Sequence, residues 1–113
     1  MSRDITLYLE DILEAIEIIK SRINNLNEID FKSNLEKQES IIYRLATIGE
    51  AINKIPEKEL NKFPDIDWAS IISMRNILIH EYYEADPDII WDTIHKDLDI
   101  LKIAIKKIKK VQD

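Results

Sequence analysis

Apolar residues recur every three or four positions through most of this chain, with charged residues between them. The first stripe comprises Ile5, Tyr8, Leu9, Ile12, Ile16, Ile19, Ile23 and Leu26. After a run of asparagines, Asp30 is a suitable cap for a second helix, whose stripe comprises Leu35, Ile41, Ile42, Leu45, Ile48 and Ile52. This spacing places one apolar side on each helix, so the pattern predicts two amphipathic helices that pair as a hairpin.

A connector and a third helix are predicted next. Pro56 ends the second helix, because proline removes a backbone donor and clashes with the preceding turn. The following residues are polar with two apolar anchors, which leaves room for a short extra helix near residues 57–63. A third helix opens at Asp65 or Asp67 and lasts until the run EADPD. Its stripe comprises Trp68, Ile71, Ile72, Ile79 and Tyr82.

A fourth helix is predicted from Asp86 nearly to the end of the chain. Asp86 can accept hydrogen bonds from the free amides of the first turn, and Pro87 suits the first helical position. The stripe comprises Ile90, Ile94, Leu98, Leu101, Ile105 and Ile108. Four helices with short links predict an all-α, up-down four-helix bundle, and we expect a single helical domain over residues 1–113.

The composition of the chain excludes several classes of enzyme and binding site. The chain has no cysteine, which excludes thiol nucleophiles and thiolate metal sites. It has no glycine-rich phosphate loop, no nucleophile-elbow serine, no apolar run of membrane-spanning length and no signal-peptide pattern. Asp92 and His95 have the spacing of a bundle metal site, but no second such pair accompanies them. We therefore expect a cytoplasmic protein without a metal, a cofactor or a membrane partner.

Charge limits nucleic-acid binding to local regions. The formal net charge of −6 opposes broad binding, because affinity for phosphate backbones comes largely from Lys and Arg. The exception is IKKIKK, where Lys106, Lys107, Lys109 and Lys110 form a basic end. The plainer explanation of this run is that cations stabilise the C-terminus of a helix.

Arg75 is an unusual residue on the third helix, because its charge lies on the apolar stripe. An arginine so placed needs a carboxylate, a subunit interface or an anionic ligand, or it reaches to solvent. Glu50 is one candidate carboxylate. His80 lies about 140° around and about 7.5 Å along a regular helix from Arg75, so the two do not share a face.

Two other polar residues share the side of the helix that carries His80. Asn76 lies four residues before His80 and Tyr83 three after it. Taken alone, such a histidine is more simply explained as a hydrogen-bonded surface residue.

The run RNILIHEYY at residues 75–83 resembles the R-x-x-x-x-H-x-Y signature of HepT-like toxins of the HEPN superfamily. Arg75, His80 and Tyr82 occupy its three fixed positions, and Asn76 its usual polar one.

The flanking sequence resembles the same family in order and spacing. The similar parts are IGEAINKIP at 48–56, a tryptophan seven residues before the motif arginine, and DPDIIWDTIHKDLDIL at 86–101. The resemblance extends from about residue 40 to about residue 105. Arginine and histidine at this spacing alone would be a weak signal, and the flanks make it specific.

The resemblance implies a homodimeric bundle in which two copies of the motif face one another in a cleft. It implies a metal-independent endoribonuclease in which Arg75 holds the scissile phosphate, His80 transfers protons and Asn76 supports them. Phosphate binding suits arginine, because its guanidinium can donate two hydrogen bonds to phosphate oxygens. Proton transfer suits histidine, because it titrates near neutral pH. Glu50 and Tyr83 are then candidates for residues that contact Arg75 and His80 from around the catalytic centre.

The resemblance also implies a toxin-antitoxin pair. In this family the motif tyrosine, here Tyr82, is the site where an MntA-type nucleotidyltransferase antitoxin attaches AMP and so silences the toxin. Tyr83 is the alternative acceptor, and Tyr82 is also explained as a core aromatic residue. The competing function is a non-catalytic helical binding module that partners a nucleotidyltransferase.

Overall fold

The chain folds into helices, as seen in a computed structural model that describes residues 4–69, 71–72 and 86–112. The helices are α1 (Ile5–Ile23), α2 (Glu28–Lys32), α3 (Leu35–Ile52), α4 (Glu57–Leu60), α5 (Pro87–Lys96) and α6 (Leu98–Gln112). Residues 68–69 and 71–72 are also helical, and no strand occurs among the described residues. The predicted all-α bundle and the short extra helix in the connector are confirmed.

The predicted second helix is two helices in the structure. Asn27 caps α2 by accepting from the Asp30 N–H at 2.8 Å, and Asn34 caps α3 by accepting from the Lys37 N–H at 3.0 Å. Asp30 was therefore the wrong cap. The buried Gln38 amide stabilises the break, because its Nε2 donates to the Phe31 and Lys32 carbonyl oxygens at 2.9 and 3.0 Å.

The predicted fourth helix begins as expected but is interrupted once. The Asp86 carboxylate accepts from the Asp88 N–H at 2.9 Å, and Pro87 occupies the first turn. At Asp97 the backbone has φ −101° and ψ −26°, which departs from regular helix and separates α5 from α6. The apolar stripe continues across the break, since Ile94 and Leu98 are both buried.

The core lies where α1 packs against both α3 and α6. Its largest fully buried side chains are Phe31, Leu9, Ile12, Ile16, Ile19, Ile41, Ile48, Ile52, Ile105 and Ile108. α2 completes the core from one side, because the Phe31 ring lies 5.4 Å from the Trp91 ring of α5 and Lys32 pairs with Asp88. No helix in the described ranges is long and apolar enough to cross a membrane.

Three ion pairs connect α1 to α6. Glu10 pairs with Lys109 at 3.7 Å, Glu17 with Lys102 at 2.5 Å, and Lys20 with Asp99. From one pair to the next, the residue number on α1 increases by the same amount as the residue number on α6 decreases. These pairs therefore mark an antiparallel register between the two helices.

The α1–α6 pairs should make stability depend on pH. The hydrogen bond from Lys102, with its positive charge, lowers the pKa of Glu17 from its ordinary 4.5, and Lys20 likewise lowers the pKa of Asp99 from 3.8. A carboxylate with a lowered pKa stabilises the fold above its unfolded pKa and loses that contribution as pH falls through its folded pKa. We expect Glu17→Gln to be less stable than wild type at pH 7.

This difference should shrink below about pH 4.5 and in high salt, because the groups are exposed. Urea unfolding of both proteins from pH 7 to pH 3 measures it. The control is Glu14→Gln. Glu14 lies on the same helix and forms no ion pair with any of the described residues. A difference between wild type and Glu17→Gln that persisted unchanged to pH 3 would rule out the ion pair as its source.

Candidate active site

The first turn of the third predicted helix is fixed by Trp68. Its indole Nε1 donates to the carbonyl oxygens of Leu60 at 2.9 Å and Phe63 at 3.1 Å. The Ile71 N–H donates to the Asp67 carbonyl oxygen at 3.3 Å, which forms the first helical turn. The sequence expectation that this helix opens at Asp65 or Asp67 is therefore confirmed, and the indole ties that turn to α4 and the connector.

The motif itself lies beyond this turn. Arg75, Asn76, His80, Tyr82 and Tyr83 fall within residues 73–85, outside the described residues. The predicted apolar positions Ile79 and Tyr82 and the helix end at EADPD fall there too. Their proposed roles remain predictions from sequence.

Glu50 is the one predicted site residue that the structure describes. It is half-buried on α3 and lines a depression of about 400 Å³ between α1 and α3. The other lining residues are Tyr8, Asp11, Tyr43, Ala46, Thr47, Ala51 and Lys54. Glu50, Tyr8 and Asp11 each make an interaction in this structure, so none of these three polar groups is free.

The chemistry of this depression is mixed. Tyr8 and Tyr43 contribute phenols from opposite walls, Asp11 and Glu50 contribute carboxylates, and Lys54 adds one cation. Tyr43 is 65% exposed. Such a surface can orient a cationic or hydroxyl-bearing group.

Sequence reasoning named Glu50 but missed its neighbours. Tyr43 and Thr47 lie seven and three residues before Glu50 on α3, and Lys54 lies four residues after it, just past the end of the helix. This helical spacing was a signal present in the sequence. Tyr8 and Asp11 had no such signal, because only the register of α1 on α3 places them beside Glu50.

A second cavity lies next to Asp67 and Ile71, at the first turn of the third predicted helix. It has a volume of about 270 Å³ and is lined by Leu45, Ile48, Asp65, Ile66, Asp67, Ile71, Thr93, Asp97, Leu98, Ile100 and Leu101. Its lining is mainly aliphatic, with three carboxylates among the described residues. It therefore has no cation in that lining to hold a phosphate.

His95 is separate from both cavities. It is exposed on α5, its Nδ1 lies 2.8 Å from the Trp91 carbonyl oxygen, and its ring packs 4.0 Å from the Trp91 ring. A carbonyl oxygen can only accept, so Nδ1 carries the proton in this contact. Across the described ranges, no group of three His, Asp or Glu side chains is arranged to hold a metal ion.

Comparison with known proteins identifies the family. Residues 12–108 match the model of the family described as "Ribonuclease HepT-like". A Thermococcus cleftensis protein named "Probable ribonuclease HepT" is 36% identical over 97% of this chain and 100% of its own length. A "Putative RNase" of Caldanaerobacter subterraneus is 34% identical over 89% of this chain and 90% of its own.

A longer relative shares the same region. A Methanocaldococcus jannaschii protein named "Gamma-glutamylcyclotransferase and putative RNase" is 36% identical over 100% of this chain, which spans 51% of that protein's length. No solved structure matches the chain. Since the family model covers most of the chain and relatives align nearly end to end, the chain belongs to the HepT-like ribonuclease family.

Proposed function

We propose that this protein is a metal-independent endoribonuclease that acts as the toxin of a toxin-antitoxin pair, with residues 1–113 as its single functional domain. The observation that carries the proposal is the spacing of Arg75, His80 and Tyr82 inside the region matched by the family. The names of the relatives, which describe ribonucleases, support the same reaction class.

The proposed reaction uses the RNA as its own nucleophile. His80 removes the proton from a ribose 2′-hydroxyl, whose oxygen forms a bond to the adjacent phosphorus. The bond from phosphorus to the 5′-oxygen breaks, and that oxygen takes up a proton from a protonated His80, so the protons balance. The products are a 2′,3′-cyclic phosphate and a 5′-hydroxyl, so the step needs no added water or metal ion.

Arg75 and Asn76 have supporting tasks in this reaction. The guanidinium is permanently charged and can bind two phosphate oxygens at once, so Arg75 would neutralise the charge that develops on the phosphate. Asn76 would hydrogen-bond the phosphate or His80. Tyr83 and Glu50 would lie around this centre, Glu50 from the depression on α3.

A homodimer accounts for the placement of Arg75 and His80 on different sides of a regular helix. Two facing motifs could combine Arg75 of one protomer with His80 of its partner at one phosphate. The predicted position of Arg75 on an apolar stripe supports such an interface, because an interface supplies the anion or carboxylate that the charge needs.

Control of the toxin would act at Tyr82, with Tyr83 as the alternative acceptor. An MntA-type nucleotidyltransferase antitoxin would transfer AMP from ATP to the phenol oxygen and release pyrophosphate. The added group carries negative charge and bulk beside the cleft, so it would repel and exclude RNA.

Expression without any partner gene tests the proposal. Wild type should arrest growth of the host and degrade its RNA, and the Arg75→Ala, His80→Ala double variant should do neither at equal soluble protein level. If wild type is soluble and harmless and total RNA stays intact, the enzyme proposal is wrong and the binding-module function replaces it.

A further inference from the structure

The lysines of α6 fall into two groups in the structure. Lys102 and Lys109 face α1 and pair with Glu17 and Glu10. Lys106, Lys107 and Lys110 are exposed, and none has an ion pair within 4 Å in the part of the chain that the structure describes. We call these three exposed residues the lysine strip.

Among the described residues, no carboxylate forms an ion pair with the lysine strip. Lys106 acts on Glu17 only weakly, and that carboxylate is already bonded to Lys102. No Asp or Glu occurs on α6 after Asp99. The strip is therefore a local concentration of positive charge on a chain whose formal net charge is −6.

The helix dipole explains only part of this arrangement. Cations stabilise a helix within its last turn, and the last turn of α6 contains Lys109 and Lys110. Lys106 and Lys107 lie before it. Lys106 and Lys110 are also four residues apart, where like charges weaken a helix by about 0.2 to 0.5 kcal/mol. Helix stability thus gives no reason for the first two lysines of the strip.

We propose that the lysine strip binds the sugar-phosphate backbone of the RNA substrate outside the scissile bond. Three adjacent ammonium groups without an ion pair to any described carboxylate can contact phosphates directly and release their counterions. Lys106 and Lys110 are about 6 Å apart along the axis, and Lys107 widens the surface around the helix. This inference rests on the proposed function for the identity of the ligand, and it concerns a surface that the motif does not include.

RNA binding at different salt concentrations tests the strip. The full chain carries His80→Ala so that the probe stays intact, and the probe is a fluorescein-labelled single-stranded oligouridylate of about 20 nucleotides. Lys106→Gln, Lys107→Gln and Lys110→Gln are combined in one variant. Glutamine keeps a similar helix propensity, so the fold should be preserved, which circular dichroism checks.

The expected result is a weaker and less salt-dependent complex. Three lost contacts to single-stranded RNA should reduce the slope of log K against log salt by about 2, and affinity near 50 mM salt should fall by about tenfold or more. The control combines Lys37→Gln, Lys58→Gln and Lys96→Gln, which removes the same charge from exposed lysines elsewhere. The control should keep a steeper slope and most of the affinity.

Two outcomes overturn the proposal. One is equal loss in both triple variants, which means that only net charge matters. The other is an unchanged RNA affinity in the strip variant, which would mean that the strip serves a different ligand such as an acidic protein surface. Cleavage by the chain with His80 intact is measured separately. If RNA binding depends on the strip but no cleavage occurs, the ribonuclease proposal is wrong and the strip proposal stands. If the chain cleaves RNA but the strip variant binds it as tightly as wild type, the strip proposal is wrong and the ribonuclease proposal stands.

Discussion

Replacing His80 with alanine is expected to lower the rate of RNA cleavage by about 10²- to 10⁴-fold, the usual contribution of a general acid or base. The fold should be unaffected, because the core described above is built from apolar residues on α1, α2, α3, α5 and α6. Purified protein and a labelled RNA with a single cleavage site measure the rate under single-turnover conditions.

The second histidine of the chain provides a matched control. His95 is exposed on α5, and its contacts are to Trp91 on the same helix. His95→Ala should therefore cleave at the wild-type rate. Equal loss in both variants would assign the effect to stability or assembly, and full activity of His80→Ala would remove this residue from the mechanism.

Replacing Ile105 with alanine is expected to give a large loss of stability. Ile105 is 0% exposed in the core between α6 and α1. Truncating a buried isoleucine removes its transfer free energy and leaves a cavity, at a cost of about 2 to 5 kcal/mol in the free energy of unfolding. Urea unfolding followed by circular dichroism measures the change.

Ile103 on the same helix is the control for this substitution. It is 57% exposed, so Ile103→Ala should change the free energy of unfolding by at most about 0.5 kcal/mol. Comparable losses at the two positions would contradict the packing of α6 described here.

The helices could be predicted from local signals where those signals agree. The start at Asp86 and Pro87 was predicted because a capping carboxylate and a proline coincide there, and both act in the structure. The division of α2 from α3 was not predicted, because six polar residues between positions 24 and 34 are all suitable caps. The choice of Asn27 and Asn34 depends on the burial of Phe31 and Gln38, which is a tertiary contact.

Part of the candidate site could be identified from the sequence, and part required the structure. Arg75, His80 and Tyr82 were identified by a motif that needs no three-dimensional information. The surface beside Glu50 required the structure, because Tyr8 and Asp11 reach it from a different helix. Periodicity assigns a residue to a face of its own helix and says nothing about which residue of another helix lies opposite.

By itself, the sequence determined the helical period, the starts of the third and fourth predicted helices and the residues of the proposed catalytic motif, because these depend on neighbours within about one or two turns. Only the tertiary structure decided the register of α1 against α6, and with it which lysines are paired. Lys102 and Lys106 are four residues apart on the same helix, yet Lys102 pairs with Glu17 at 2.5 Å and Lys106 has no ion pair within the described ranges. The physical reason is that ion pairing depends on the distance between two helices, which the packing of their buried faces sets.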